Sequence, residues 1–174
     1  LRLLAFQIGS QVSTQEIGNT VGLDKNTVAR YLDLLEKSFV LYRLDGFSRN
    51  LRKEVSKMSK YYFYDLGIRN ALISSFNELS LRNDQGQLWE NFVVMERIKH
   101  LACTPRHANC YFWRTYDKKE LDWVEETGGP LHGYEFKWKT ATVAPPRGWL
   151  ETYPEADFHV IHPENYLEFV TTPT

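Results

Sequence analysis

Three side chains have the types and spacing to share one piece of chemistry. Asp122 lies in KELDWVEE, and Glu135 and Lys137 lie in GYEFKWK. These two strand-like runs flank Gly128-Gly129, a hairpin signal. Residues two apart on a strand share a face, so Glu135 and Lys137 project together while Phe136 and Trp138 project the other way, and Glu120 pairs in the same sense with Asp122. A hairpin sets Asp122 beside Glu135. Paired carboxylates favour a hard cation, Mg²⁺ or Mn²⁺, which takes oxygen ligands and keeps several waters. A lysine next to them orients or helps to deprotonate an attacking water and offsets local negative charge. Without metal the two acids repel, and one takes up a proton more readily. The same pattern also has a structural reading, since exposed strands alternate charge with aromatics and cross-strand Glu–Lys pairs stabilise modestly.

The elements that must hold these residues follow from periodicity and caps. Asn83-Asp-Gln-Gly86 precedes a strong helix from Gln87 to about His100, apolar along one side, with Glu90 and Asn91 as polar residues near its start. Strands are predicted over 110–114, 120–125 and 131–139. A short helix after Pro145-Pro146 (147–153) and a last strand over 157–162 complete the run. The order is helix, strand, strand, strand, helix, strand.

Upstream lies a different pattern. Residues 2–8 form a short helix ending at Gly9. Ser13-Thr-Gln-Glu16 is a capping box that opens a helix over 14–21, and Gly22-Leu23 stops it. Asp24 or Asn26 then opens a longer helix to Lys37, whose apolar face, with Ile17, Val21 and Leu23, is Val28, Leu32 and Leu35. Two helices across a tight Gly-containing turn make a helix-turn-helix signal. Phe39–Leu44, a turn at Gly46 and a basic segment supply a wing. Lys25, Asn26, Thr27 and Arg30 would face DNA, with Arg49, Arg52, Lys53, Lys57 and Lys60 on phosphates. The alternative is a packing or partner-docking unit with a solvated basic loop, and Asp33 and Glu36 weigh against base reading. Lys60-Tyr-Tyr-Phe-Tyr-Asp-Leu-Gly67 reads as a short strand followed by a helix capped by Asp65.

Bulk numbers bound the possibilities. The 174 residues carry a net charge of −1, and no apolar run is long enough for a membrane helix. Residues 1–80 are +3 and residues 81–174 are −4, which suits two modules, 1–80 and 81–174. Two irregularly placed cysteines make neither a disulfide framework nor a zinc knuckle, and no signal peptide is visible, so a cytoplasmic location is expected. His100, His107, His132, His159 and His162 lack zinc spacing, and the five tryptophans read mainly as core. The first residue is Leu1, and no Gly-x-x-x-x-Gly-Lys-Ser/Thr loop occurs, so any ATP-using portion is expected upstream.

Asp122…Glu135-Phe-Lys137, on the second and third strands after a helix with an early Glu, resembles the PD-(D/E)XK nuclease superfamily. More narrowly, the chain is similar to the C-terminal region of a large bacterial and archaeal family of predicted AAA+-like ATPases. There a winged helix precedes a restriction-endonuclease-like domain of unknown function. The stretches that carry the likeness are Ser13–Leu44, Lys60–Gly67, Gly86-Gln-Leu-Trp-Glu-Asn-Phe-Val93, Tyr111-Phe-Trp-Arg114, Glu120-Leu-Asp122 and Glu135-Phe-Lys137. The resemblance implies an α/β, restriction-endonuclease-like domain preceded by a winged helix-turn-helix. It implies Asp122 and Glu135 as ligands of Mg²⁺ or Mn²⁺, Lys137 as water-positioning base, Glu90 as a helix-borne acid near the metal and Arg114 as a phosphate contact. Leu121 replaces the motif's leading proline. The implied function is DNA phosphodiester hydrolysis in a protein whose ATPase domain lies upstream. The alternative is a noncatalytic DNA- or protein-binding regulatory module with a vestigial site.

Overall fold

The computed structural model describes residues 1–49, 58–105 and 107–171. Its elements run α1 (Arg2–Phe6), β1 (Gln11–Val12), α2 (Thr14–Val21), α3 (Lys25–Lys37), β2 (Leu41–Phe47), β3 (Ser59–Phe63), α4 (Leu66–Leu72), a 3₁₀ turn (Leu79–Leu81), α5 (Gln85–Cys103), β4 (Asn109–Arg114), β5 (Glu120–Glu126), β6 (Leu131–Phe136), α6 (Trp149–Thr152), β7 (Asp157–Ile161) and α7 (Tyr166–Thr171). The protein is mixed α/β. One seven-stranded sheet, in the order β1-β3-β2-β4-β5-β6-β7, joins strands from both halves of the chain. The β2–β4 and β6–β7 pairs are parallel, and the remaining pairs are antiparallel.

Local chemistry accounts for the helical ends. The Ser13 hydroxyl accepts from Glu16 N–H at 3.3 Å and starts α2. Gly22 ends that helix in the left-handed region at φ 71°. Asp24 accepts from the amides of Asn26 and Thr27 at 2.9 and 3.0 Å, so α3 starts at Lys25, and Asp65 caps α4 in the same way. The turn between α2 and α3 depends on Gly18, because a Cβ there would lie 2.5 Å from the Leu23 carbonyl oxygen.

Alternation on the strands distributes the core over both faces of the sheet. Leu44 and Tyr62 join Trp89, Val93, Val94, Met95, Phe112, Trp123, Tyr134 and Phe136 beneath α5. On the opposite face, Leu41, Tyr61 and Phe63 meet Leu4, Val28 and Leu32 of the N-terminal helices and Ile8 of the turn after α1. Farther along that face, Trp113, Leu121, Val124 and Leu131 meet Trp149 and Tyr153. Four of the five tryptophans are therefore core, and Trp138 packs against the α5 cluster. No helix among the described residues is long and apolar enough to cross a membrane.

The first helix ends at Phe6 instead of residue 8, other helix ends move by a few residues, β1 and α7 are additional, and two details of the strands differ from the sequence reading. Gly46 is not a turn. It lies inside β2, which pairs with β3 on one side and β4 on the other, because the unbroken ladder satisfies more backbone groups than a turn there would. The strand predicted to reach residue 139 ends at Phe136, where its parallel partner β7 also ends at Ile161, although Lys137 N–H still donates to the Ile161 carbonyl at 2.9 Å.

A buried ion pair fastens α5 to the sheet. Arg97 Nε and Nη2 grip the two carboxylate oxygens of Glu125 at 2.6 and 2.7 Å, and both side chains are fully buried. Trp123 Nε1–H donates to the same carboxylate at 2.7 Å. Replacing Arg97 by Met strands a buried carboxylate, so urea unfolding should show a loss of about 3–5 kcal/mol. Arg97→Met combined with Glu125→Leu should recover a substantial part of that loss. A single variant as stable as wild type would show that this pair does not hold the helix.

Candidate functional site

The sheet face beneath α5 gathers charge as well as apolar surface. Lys60 and Tyr62, two apart on β3, both turn toward α5. Lys60 is 1% exposed. Its Nζ lies 3.1 Å from Glu120 Oε1, 3.3 Å from Glu90 Oε1 and 3.7 Å from Asp122 Oδ1, and it sits 5.6 Å from the centre of the Phe112 ring. The Tyr62 hydroxyl donates to the same Glu90 oxygen at 2.7 Å. Behind Glu90, the backbone at Gly9 (φ 72°) comes so close that a Cβ there would stand 3.0 Å from Oε1.

Burial by itself would lower the Lys60 pKa. The charges of Glu90, Asp122 and Glu120 more than reverse this, and the ammonium is held well above its ordinary value. Glu90 moves the other way for an acid. Burial, reinforced by the Asp122 charge and opposed by Lys60 and the Tyr62 hydroxyl, pushes its carboxyl up to about 7.

A β-bulge sets Asp122. Tyr111 pairs with Val124, yet Trp113 pairs with Leu121, so two steps on β4 match three on β5. Leu121 and Val124 consequently enter the same cluster while Trp123 enters the one beneath α5. The Asp122 carboxylate reaches the neighbouring strand, where Oδ2 accepts the Phe136 N–H at 2.8 Å. The paired register of β5 and β6 ends at Trp123↔Tyr134, and Glu135 is the next residue along β6. Glu135 Oε1 binds Lys137 Nζ at 2.5 Å, while Tyr134, Phe136 and Trp138 pack into the α5 cluster. Burial and then the Asp122 charge raise the Glu135 pKa, with Lys137 opposing. Lys137 would be lowered by burial, but Glu135, Asp122 and Glu90 raise it.

The predicted residues thus fall into two linked sets. Glu90, Glu120 and Asp122 surround Lys60, and Glu135 with Lys137 adjoins them through Asp122. Lys60 is a correction. It is not an exposed phosphate contact but the buried centre of the acids, because its position on β3 turns it toward α5. Lys60 and Tyr62 are the site residues that sequence reasoning missed; the available signal was a lysine two positions from a tyrosine within an aromatic strand.

Of the residues proposed to meet DNA, Lys25, Asn26 and Arg30 are exposed on the first turns of α3. Thr27 spends its amide and hydroxyl on Asp24. Arg49 is bound to Glu126 at 2.5 Å and Arg114 to Glu120 at 3.2 Å. Arg52, Lys53 and Lys57 lie outside the described residues. His132 and His159 approach the same oxygen of Asp157 at 2.8 and 3.3 Å.

The donor set around Asp122 and Glu135 is oxygen only, which suits Mg²⁺ or Mn²⁺. Asp122 Oδ1, at 3.7 Å from the ammonium, is beyond hydrogen-bond length and keeps its lone pairs available. Among the described residues, however, no three His, Cys, Asp or Glu side chains are grouped closely enough to hold a metal as they stand. Lys60 lies between three of the acids.

A carboxyl that binds its proton more tightly in the folded than in the unfolded chain costs stability as pH rises between the two pKa values. For Glu90 that window runs from the ordinary 4.5 to about 7. Glu90→Gln is neutral throughout. In metal-free buffer, urea unfolding at stepped pH should therefore show wild type losing on the order of 2–3 kcal/mol relative to Glu90→Gln across this window. A difference that stays flat with pH would show that Glu90 does not titrate there.

Residues 1–80 match the family described as domain of unknown function DUF8612, and residues 85–167 match that described as domain of unknown function DUF4143. An uncharacterized protein of Mycobacterium tuberculosis and one of Mycobacterium bovis are each 32% identical over 142 residues, which is 80% of this chain and 31% of theirs. An uncharacterized protein of Haemophilus influenzae is 26% identical over 126 residues, 70% of this chain and 28% of its own. The chain therefore spans under a third of the curated relatives it matches. No solved structure matches it. In sequence the protein is similar, half by half, to two families of unknown function, and across both halves to part of longer bacterial proteins.

Proposed function

We propose that this chain is a nucleic-acid-processing region in which a winged helix-turn-helix, built on α2 and α3, delivers DNA to a PD-(D/E)XK-like site of metal-dependent phosphodiester hydrolysis. The observation that carries the reading is the coupling of Asp122, Glu135 and Lys137 across β5 and β6. Asp122 accepts the amide of Phe136, the residue between Glu135 and Lys137, at 2.8 Å; its charge adds to burial in raising the Glu135 carboxyl, and the lysine is bonded to Glu135. Asp122 and Glu135 would hold Mg²⁺ or Mn²⁺, which supplies Lewis-acid polarisation of the scissile phosphate. Lys137, 39% exposed at its side chain, can orient the attacking water while neutralising Glu135. The exposed Lys25, Asn26 and Arg30 would meet the duplex at its phosphates. The relatives, more than three times as long as their matched part, leave room for the AAA+-like ATPase domain that the resemblance puts upstream.

One observation favours a second reading, a noncatalytic regulatory module for such an ATPase. Lys60 already compensates three of the acids, while Arg49 and Arg114 are tied to carboxylates instead of open to phosphate. Plasmid cleavage in Mn²⁺ or Mg²⁺ separates the two. The hydrolytic reading expects nicking by wild type and a loss of at least ~100-fold in Glu135→Ala and in Lys137→Ala. Equal cleavage by all three chains, or none by wild type, would sink it. DNA retention by a chain that does not cleave, undiminished in Asp122→Ala and without metal, would establish the second.

A further inference from the structure

The buried ammonium of Lys60 stands where a cation would be expected. Three carboxylates from two elements, Glu90 on α5 and Glu120 and Asp122 on β5, converge on a side chain from a third, β3. Its contacts of 3.1, 3.3 and 3.7 Å are longer than the roughly 2.7–2.9 Å of a strong charge-assisted hydrogen bond. One ammonium is thus shared among three acids, in the manner of an ion in a cage. The Phe112 ring beside it and the Tyr62 hydroxyl on Glu90 complete a pocket shaped around positive charge. Lys60 faces all three acids and Arg114 faces Glu120 alone, at 3.2 Å, so without the ammonium the acids would outnumber the cations by two charges, which suits a divalent ion.

We propose that Lys60 is a built-in surrogate for a divalent cation, one that occupies a second cation position formed by Glu90, Glu120 and Asp122 and thereby restricts the site to a single metal at Asp122 and Glu135. Lys60 is in this sense a specificity-determining residue. It keeps Glu90 and Glu120 engaged and out of a metal's coordination, and it leaves Asp122 Oδ1 as the oxygen shared between the two positions. Removing the ammonium leaves three carboxylates that a hard divalent ion can bridge, with oxygens drawn in to roughly 2.0–2.6 Å. The location of the single metal rests on the function proposed above. The surrogate role does not, because it is read as a difference between two chains.

Mn²⁺ binding by wild type, Lys60→Met and Lys60→Arg, followed by calorimetry and by the loss of free-ion electron resonance signal, tests this. Lys60→Met should bind one more Mn²⁺ per chain than wild type, Mg²⁺ should compete for it, and Lys60→Arg should show no gain. Adding Glu120→Gln to Lys60→Met should abolish the extra ion. Should Lys60→Met be unstable alone, millimolar Mn²⁺ should restore its circular dichroism and raise its melting temperature by several degrees more than that of wild type. Equal stoichiometry in wild type and Lys60→Met, or a Lys60→Met chain that stays unfolded in Mn²⁺, would overturn the proposal. A wild type that binds no Mn²⁺ beside a Lys60→Met chain that binds one would sink the Asp122–Glu135 metal and sustain the surrogate role.

Discussion

A lysine ammonium buried beneath a helix must be compensated, and that requirement organises this molecule. Removing such a group from water costs several kcal/mol. One carboxylate about 4 Å away returns roughly 4 kcal/mol at the effective dielectric of a protein. A single partner would therefore only offset the burial, whereas the three around Lys60 exceed it and hold the charge in place. The cost to the acids is visible at Glu90, whose carboxyl rises to about 7 despite the adjacent ammonium. Because the partners come from β3, α5 and β5, this electrostatic balance is also a tertiary constraint. It ties the strand that follows the N-terminal helices to the helix and hairpin of the second half.

The sheet makes that constraint possible. β3 and β5 are not neighbours; β2 and β4 lie between them, and the parallel β2–β4 pair joins the two halves of the chain. Lys60 crosses this interval over the Phe112 ring to reach Glu120 and Asp122. The bulge in β5 then adjusts the far end, since it lets Leu121 and Val124 share one core cluster and frees Asp122 to accept the Phe136 amide. A regular strand would place Leu121 and Val124 on opposite faces. The two family matches, 1–80 and 85–167, contribute β2 and β4 respectively to the parallel pair, and the charge network spans both.

Arg97 and Glu125 repeat the theme one helical turn-pair further along α5, with bidentate geometry and complete burial. The same helix thus carries an acid toward one buried cation and a cation toward one buried acid. Much of the formal charge of the second half is consumed in such internal pairs, Arg114 with Glu120 and Lys137 with Glu135 among them. The net charge of a segment is therefore a poor guide to what it offers a polyanion.

By itself the sequence determined the local features. Ser13, Gly22, Asp24 and Asp65 mark helix ends through hydrogen bonds to amides within three residues or a positive φ, and the helix over 14–21 forms with those bounds. The period-two runs at 110–114, 120–125 and 157–162 became β4, β5 and β7 within a residue at each end, because alternation is a property of the strand alone. Only the tertiary structure decided that Gly46 belongs to an interior strand, that the two-residue β1 exists, and that the bulge falls beside Asp122. It also decided that Lys60 is buried among Glu90, Glu120 and Asp122. Each of these depends on which distant strand supplies the hydrogen bonds or the opposite charge, and partners separated by 30 to 62 residues leave no periodic trace in the chain between them. A lysine in a sequence carries the same charge whether water or three carboxylates surround it; the fold chooses which.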